Sequence, residues 1–268
     1  MAKPKGQDVR QQSMVFGEVA DMYHRVRPSY PAGVVDDAIS FCGVEAPRIV
    51  EVGAGTGKAL VLFAARGLEI VALEPSPEMA RVAESNCARY PGVRIIKSSF
   101  ENWDAGSQTF DLLISAQAWH WIPLERRYVK ARDVLRRNGA IAVFWNRPLW
   151  ADSALCQITD DIYQRHAPGM TARVPGFSRY ARAEDEEMRM EIDRSGAFAR
   201  VTARTHRWSA SYTAQDFIDL LATQSDHRML EPGQLEALLG SIAEAIEGAG
   251  GRVNLAYETT LLLARGRP

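Results

Sequence analysis

Residues Arg48–Lys58 read RIVEVGAGTGK, an apolar run followed by three glycines at alternating positions. Such a run is typical of a strand buried on both faces, and the glycines let the backbone turn tightly and approach a ligand closely. Good helix formers follow as far as Arg66, and a second apolar run over 69–75 reads EIVALEP. The order strand, turn, helix, strand predicts half of a mononucleotide-binding α/β fold, with a site at the carboxyl ends of its strands.

The glycine spacing bears on which cofactor binds. A dinucleotide fingerprint, G-x-G-x-x-G, would need glycine where Lys58 stands, and a P-loop would need serine or threonine where Ala59 stands. Glu51 lies two residues before the first glycine, and a carboxylate there suits an ammonium group better than a phosphate. Glu74 ends the second strand, where a carboxylate can accept hydrogen bonds from two ribose hydroxyls. The pattern therefore disfavours a nicotinamide-dependent oxidoreductase.

Several segments, in order, resemble the motifs of class I S-adenosylmethionine-dependent methyltransferases: VEVGAGTG, LEPS, FDLLISAQAWHW and NGAIAVFW. FGEVADMYHRVRPSYP and QAWHWI resemble the small-molecule branch that includes trans-aconitate methyltransferase-like proteins. The resemblance implies an α/β, Rossmann-like, seven-stranded and mostly parallel sheet, with an antiparallel last strand and helices on both faces. It also implies an enzyme that methylates a carboxylic acid or another small metabolite. The alternative is a non-catalytic S-adenosylmethionine-binding or sensing protein, because a fold does not prove turnover.

The resemblance also implies which residues bind S-adenosylmethionine. Phe16, Tyr23 and Arg27 would line its methionine end, although a simple cap on the sheet is an equally open interpretation of this segment. Family members hold the adenine with an acid and a small residue after the third strand, whereas this sequence has Ser-Phe-Glu over 99–101. The expected cofactor-binding residues are Phe16, Tyr23, Arg27, Glu51, Gly53, Ala54, Gly55, Gly57, Glu74, Pro75, Met79, Ser99, Phe100, Glu101 and Gln117.

The acceptor is expected beside the loop that leaves the fourth strand. His120 is the residue predicted to position the acceptor, although a histidine between two tryptophans is more often packed and hydrogen-bonded in a core. Trp119 and Trp121 are interpreted as core or pocket wall. Arg27 and Arg147 are the candidates for binding an acceptor carboxylate, since an arginine can bind it through two hydrogen bonds.

Local patterns predict where several elements begin and end. Ser76 before proline and Thr213 three residues before an aspartate are typical helix N-caps. LERRYVKARDVLRR is predicted to be a helix that ends at Asn138-Gly139. A long last strand is predicted in RVNLAYETTLLLARG.

Composition sets the class of protein. The chain has 268 residues, 46% of them hydrophobic, which suits one methyltransferase domain over 1–268. Within it, 1–41 are interpreted as an N-terminal cap and 149–194 as a lid inserted between the fifth and sixth strands. A net charge of −1 argues against nucleic acid as a partner. A small-molecule substrate and a monomer or homodimer are expected.

The cysteines and the N-terminal segment indicate the cellular compartment. The three cysteines are widely spaced, which disfavours a disulfide framework or a metal site and fits a reducing compartment. The polar N-terminus is unlike a signal peptide, and no apolar run is long enough to cross a membrane. A cytoplasmic protein that does not bind membranes is expected.

Overall fold

The computed structural model describes residues 20–149, 156–173 and 178–267. Its centre is a seven-stranded sheet of order β3-β2-β1-β4-β5-β7-β6. The strands are β1 Ile49–Val52, β2 Ile70–Leu73, β3 Val93–Ile96, β4 Phe110–Ala116, β5 Leu135–Pro148, β6 Thr202–Thr213 and β7 Arg252–Arg265. β7 runs antiparallel to both β5 and β6, and the pairs from β3 to β5 are parallel. The predicted fold is confirmed.

Helices cover both faces of the sheet. They are α1 Ala20–Val26, α2 Ala32–Cys42, α3 Leu60–Ala64, α4 Pro77–Cys87, α5 Leu124–Val134, α6 Cys156–His166, α7 Ser178–Arg194, α8 Ala214–Ala222, α9 Ser225–Arg228 and α10 Pro232–Gly248, with 3₁₀ turns at Trp119–Trp121 and Pro168–Arg173. β1 is buried along its whole length. One hydrophobic cluster packs Val50 against α5, and another packs Ile49 against α2 and α3. Side chains that alternate along a strand therefore enter two cores.

The predicted helix N-caps are present. The Ser76 hydroxyl accepts the Met79 N–H at 3.3 Å, and the Thr213 hydroxyl accepts the Asp216 N–H at 3.1 Å. Each satisfies a donor that the first helical turn would leave unpaired.

The helix predicted to end at Asn138-Gly139 stops earlier, and this expectation was wrong. α5 ends at Val134, and Leu135 already pairs with Phe110 of β4. The register then shifts, and Asn138 has a φ of 66°. The Asn-Gly pair therefore forms an irregularity at the start of β5, because pairing with β4 outweighs the helical preference of the preceding residues.

Helices beyond one end of the sheet form a cap, which we define as α6, α8, α9 and α10. Apolar residues of α6, α8 and α10 share a third cluster with the first half of β7, including Ile162, Phe217, Leu238 and Tyr257. The sequence indicated a lid only within 149–194, whereas the connection between β6 and β7 supplies most of the cap. Tertiary packing, rather than local pattern, decides this arrangement.

The second half of α7 packs against the core of the sheet rather than against the cap. Ile192 is fully buried in the cluster beneath α5. Glu191 lies 2.6 Å from an Arg127 Nη2 and accepts the Tyr128 hydroxyl at 2.6 Å. The end of the predicted lid is therefore anchored by a buried ion pair.

Candidate active site

The side chain of Glu74 holds the glycine turn in place. One carboxylate oxygen of Glu74 accepts the Gly55 N–H at 2.7 Å, and the other accepts the Ser76 N–H at 2.9 Å. Burial raises the pKa of Glu74, and these two hydrogen bonds oppose that rise. Each carboxylate oxygen has a second lone pair, so Glu74 can shape the turn and still accept a hydrogen bond from a ligand.

Gly53 and Gly55 serve different purposes. Both have positive φ values, of 72° and 57°. A Cβ on Gly53 would lie 2.3 Å from the Ala118 Cβ, whereas a Cβ on Gly55 would meet nothing within 4 Å. Gly53 therefore permits contact with the loop after β4, and Gly55 borders open space that a ligand can occupy.

Glu51 is a buried carboxylate with no hydrogen-bond partner among the described residues. It is fully buried in β1, and both its oxygens are unpaired. Burial, followed by the charge of Glu74, raises the pKa of Glu51 to about 8. An unpaired buried carboxyl is costly, and it is expected where a ligand supplies the missing partner.

α1 docks on the outer side of the glycine turn. The His24 Nδ1 lies 3.1 Å from the Thr56 hydroxyl, and the Asn86 amide donates to the Thr56 carbonyl at 2.9 Å. Ala20 packs with Met79 of α4. The contact between His24 and Thr56 could not be foreseen from the sequence, because it joins elements that are distant in the chain.

The loop after β4 has a constrained backbone. Gln117 has a φ of 60°, and its N–H donates to the Phe144 carbonyl at 3.0 Å. Its side-chain amide donates to the Asn146 carbonyl at 3.2 Å. Left-handed backbone is costly for glutamine, and such strain is common at functional sites. The loop is thus fixed to the end of β5.

The WHW segment divides between core and cavity. Trp119 is fully buried, whereas the His120 ring is exposed and Trp121 is half-buried. The Trp145 indole donates to the His120 Nδ1 at 3.4 Å, so the neutral ring carries its hydrogen on Nε2. Desolvation by surrounding protein lowers the pKa of His120, and the charge of Arg147 adds to that lowering. Solvent still reaches the ring, which limits the desolvation.

Both candidate arginines already have protein partners. Arg27 donates from Nε to the Thr223 hydroxyl at 2.9 Å and from Nη2 to the Thr223 carbonyl at 2.8 Å. Arg147 lies 3.1 Å from Glu184 and 2.9 Å from Asp185, both on α7. Arg27 therefore caps the end of α8, and Arg147 joins β5 to α7.

One cavity of about 950 Å³ brings most of the predicted site residues together. Those that line it are Tyr23, Arg27, Glu51, Gly53, Ala54, Gly55, Glu74, Pro75, Met79, Ser99, Phe100, Glu101, Gln117 and His120. Gly57 does not line it, since its Cα faces Ala83 of α4, which a Cβ would approach to 3.4 Å. Phe16 lies outside the described residues.

The cavity also has walls that sequence reasoning missed. They come from Tyr30, from Phe217, Leu220 and Leu221 of α8, and from Leu255 and Tyr257 of β7. Helical spacing of apolar residues in α8 was visible in the sequence, but it could not show that part of this face borders a cavity rather than a core. No described residue of 149–194 lines the cavity.

Neither a metal site nor a membrane span is found in the part of the chain that the structure describes. No group of three or more histidine, cysteine, aspartate or glutamate side chains is placed to hold a metal ion there. None of the described helices is both long and apolar enough to cross a bilayer.

Comparison with known proteins points to one kind of enzyme. Residues 49–139 match the model of a family described as methyltransferase domain. An uncharacterized methyltransferase of Mycobacterium bovis is 28% identical over 216 residues, which cover 81% of this chain and 79% of that protein. A malonyl-[acyl-carrier protein] O-methyltransferase of Paenibacillus sp. is 28% identical over 151 residues, which cover 54% of each chain.

Solved structures share the fold. A structure described as a type II methyltransferase of Anaeromyxobacter dehalogenans has a TM-score of 0.62 at 20% identity, and the match covers 90% of this chain and 99% of that one. The phosphoethanolamine N-methyltransferase 2 of Haemonchus contortus, solved with S-adenosylhomocysteine, has a TM-score of 0.54 at 11% identity, covering 99% of this chain and 61% of that one. At these identities the likeness concerns the fold.

Proposed function

Since this chain is an S-adenosylmethionine-dependent methyltransferase, we propose that it methylates a small molecule bound in the cavity. The observation that carries this proposal is the continuity of the cavity, which runs from Gly55 and Glu74 to His120 and Phe217. Small-molecule sites are typically about 300–1,000 Å³ and apolar, with a few polar groups that fix orientation. The cavity meets that description.

The residues present fit the cofactor. The open space at Gly55 admits close approach of a ligand to the backbone, and Glu74 retains acceptor capacity for ribose hydroxyls. The unpaired carboxyl of Glu51 suits the ammonium of the methionine end, and Tyr23 and Arg27 line the same cavity. Met79 and Phe100 offer apolar surface for the adenine.

Methyl transfer depends mainly on how the acceptor is positioned relative to the methyl group. S-adenosylmethionine supplies the methyl group on a sulfonium sulfur, which is already a good leaving group. The acceptor's nucleophilic atom would form a bond to the methyl carbon as the carbon–sulfur bond breaks, and any proton that this atom loses would pass to solvent. Holding two reactants in line can supply about 7–11 kcal/mol. The constrained loop at Gln117 and the cavity wall formed by α8 are placed to serve that purpose.

His120 is proposed to position the acceptor. Because Trp145 donates to Nδ1, the neutral ring offers Nε2–H as a donor to the acceptor molecule. His120→Ala should lower turnover and leave the affinity for S-adenosylmethionine nearly intact. Equal losses of turnover and affinity would instead assign His120 to the cofactor site, and an unchanged turnover would remove it from the site.

Calorimetry tests the cofactor assignment. The protein should bind S-adenosylmethionine and S-adenosylhomocysteine but not NAD. Glu74→Ala should weaken S-adenosylmethionine binding by about 1–3 kcal/mol, the usual result of leaving buried hydrogen-bonding groups unpaired. Glu78→Ala is the matched control, because Glu78 is exposed on the neighbouring helix. A folded Glu74→Ala protein with unchanged affinity would contradict the assignment.

A panel of small acceptors tests turnover. Production of S-adenosylhomocysteine that depends on an added small molecule would support the proposal, whereas tight cofactor binding without turnover would favour a sensing protein. The net charge of −1 supports small molecules over nucleic acid as partners. Membership of the trans-aconitate methyltransferase-like branch, cytoplasmic location and a monomeric or homodimeric state remain predictions.

A further inference from the structure

The stretch 27–30, which joins α1 to α2, forms one wall of the cavity. Three of its residues, Arg27, Pro28 and Tyr30, line that space. The stretch has no regular secondary structure, and a proline such as Pro28 offers no N–H. The backbone of 28–30 forms no hydrogen bond with the backbone of another described residue. The position of this wall therefore depends on side-chain contacts.

Asn146 of β5 supplies one of these contacts. Its Nδ2 donates to the Ser29 carbonyl at 2.8 Å. Its backbone carbonyl accepts a hydrogen bond from the Gln117 side-chain amide at 3.2 Å. Asn146 is buried and borders the cavity. A single residue thus connects the 27–30 stretch, the loop after β4 and the end of β5.

A relay of hydrogen bonds fixes the direction of the Asn146 amide. The Trp208 indole, which can only donate, donates to the Thr259 hydroxyl at 2.9 Å. The Thr259 hydroxyl donates in turn to the Asn146 Oδ1 at 2.6 Å. A flipped amide would set Oδ1 against the Ser29 carbonyl, two acceptors with no hydrogen between them. The relay therefore runs in one direction, from the indole N–H to the Ser29 carbonyl.

The 27–30 wall stands beside the proposed position of the cofactor's methionine end. Tyr30 packs edge to face on Phe144, with ring centroids 4.9 Å apart. Burial raises the pKa of the Tyr30 hydroxyl, and the neighbouring Tyr23 and Glu51 add to that rise. Tyr30 therefore lies near two residues that are proposed to bind the methionine end.

We propose that Asn146 is a positioning residue for the cofactor: its amide holds the 27–30 wall against the end of β5, and Thr259 keeps that amide oriented. The inference rests on the proposed placement of S-adenosylmethionine in this cavity. Asn146 acts through Ser29, and Thr259 acts through Asn146. Breaking the relay should let the wall shift and should weaken binding of the methionine end.

Thr259→Val tests the relay from outside the cavity, because Thr259 is fully buried and is not among the lining residues. The variant keeps the shape of the side chain and removes the hydroxyl that donates to Asn146. Calorimetry should show S-adenosylhomocysteine binding about two- to tenfold more weakly, the usual range for one hydrogen bond. Thr259→Ser keeps the hydroxyl and should restore the wild-type affinity. Thr260→Val is the matched control, because Thr260 is also buried in β7 but its side chain lies on the other face.

A ligand without the amino-acid end separates positioning from a general loss of structure. 5′-Methylthioadenosine lacks both the ammonium and the carboxylate, so Thr259→Val and the wild type should bind it equally. In protein that carries Asn146→Ala, Thr259→Val should have no further effect on S-adenosylhomocysteine affinity, since the relay is already broken. An unchanged affinity of Thr259→Val for S-adenosylhomocysteine, or equal losses for both ligands, would overturn the proposal. Failure of the proposed function is a distinct outcome, in which the wild type itself binds no S-adenosylhomocysteine or methylates no small molecule.

Discussion

At the scale of single residues, Glu51 makes the stability of the ligand-free protein depend on pH. Burial raises its pKa to about 8, so near pH 6 the folded state holds a proton that the unfolded chain has released. The free energy of unfolding therefore falls as pH rises from about 4.5 to 8, by at most about 1.4 kcal/mol per pH unit for this one group. Glu74, whose pKa is also raised by burial, adds a change of the same sign.

Glu51→Gln should remove most of this dependence. Denaturant unfolding of the ligand-free protein between pH 5 and 8 should show a flatter curve for the variant, which becomes more stable than the wild type near pH 8. Glu69→Gln is the control, since the Glu69 side chain is 78% exposed. A wild-type stability that does not fall over this range would contradict the burial of an unpaired carboxyl. If Glu51 pairs with the ammonium of the cofactor, the same variant should bind S-adenosylmethionine more weakly.

Residue types at the glycine turn could be predicted from the sequence because their roles are local. Alternating glycines before a helix and an acid at the end of the next strand depend on a short stretch of chain, and these residues line the cavity. Gly57 differs because its neighbour, Ala83, comes from a helix that the glycine spacing cannot reveal. The hydrogen bond from the Gly55 N–H to Glu74 could not be predicted either, because it depends on how the folded backbone places the turn.

At the scale of elements, the two halves of α7 should differ in how well their backbone amides are protected from hydrogen exchange. Its second half is held by Ile192 in the core and by the pair between Glu191 and Arg127. In its first half, Glu184 and Asp185 pair with Arg147, which lines the cavity. Amides after Met188 should exchange slowly in the ligand-free protein, and those before it quickly. The sequence-based prediction of a lid adds that the fast amides slow when S-adenosylhomocysteine and an acceptor bind.

Hydrogen exchange read by mass spectrometry checks both statements. Peptides from α2 provide an internal reference, because that helix packs on the sheet and none of its residues lines the cavity. Equal rates along the whole of α7 would contradict the two-part anchoring. Rates that do not change on ligand binding would mean that the first half of α7 is a packed element rather than a lid.

Element boundaries were less predictable than element types. The N-caps at Ser76 and Thr213 depend on one side chain and the turn that follows, so local sequence suffices. The end of α5 depends on β4, because Leu135 gains more from pairing with Phe110 than from another helical turn. The cavity wall formed by α8 was also beyond prediction. The apolar face of α8 is visible in its sequence, but this face borders a cavity because Leu255 and Tyr257 of β7 line the same space.

At the scale of the whole molecule, α1 connects the two halves of the cavity. On one side His24 contacts Thr56 in the glycine turn. On the other, Arg25 forms an ion pair with Asp216 at 2.6 Å and a second with Asp219. α1 therefore contacts both the glycine turn, where the cofactor is expected to bind, and α8, which lines the part of the cavity proposed for the acceptor.

Arg25→Gln tests this connection without altering the cavity lining. Exposed ion pairs contribute little to stability, so the melting temperature should stay close to that of the wild type. In the wild type, S-adenosylhomocysteine should slow amide exchange in α8 even though α8 lies in the acceptor half. In Arg25→Gln that slowing should shrink several-fold, because the link from α1 to Asp216 and Asp219 is lost. Arg81→Gln is the control, since it removes only the pair between α4 and Asp21. Identical protection of α8 in both variants would show that the cap senses the cofactor through the sheet or through the ligand itself, not through α1.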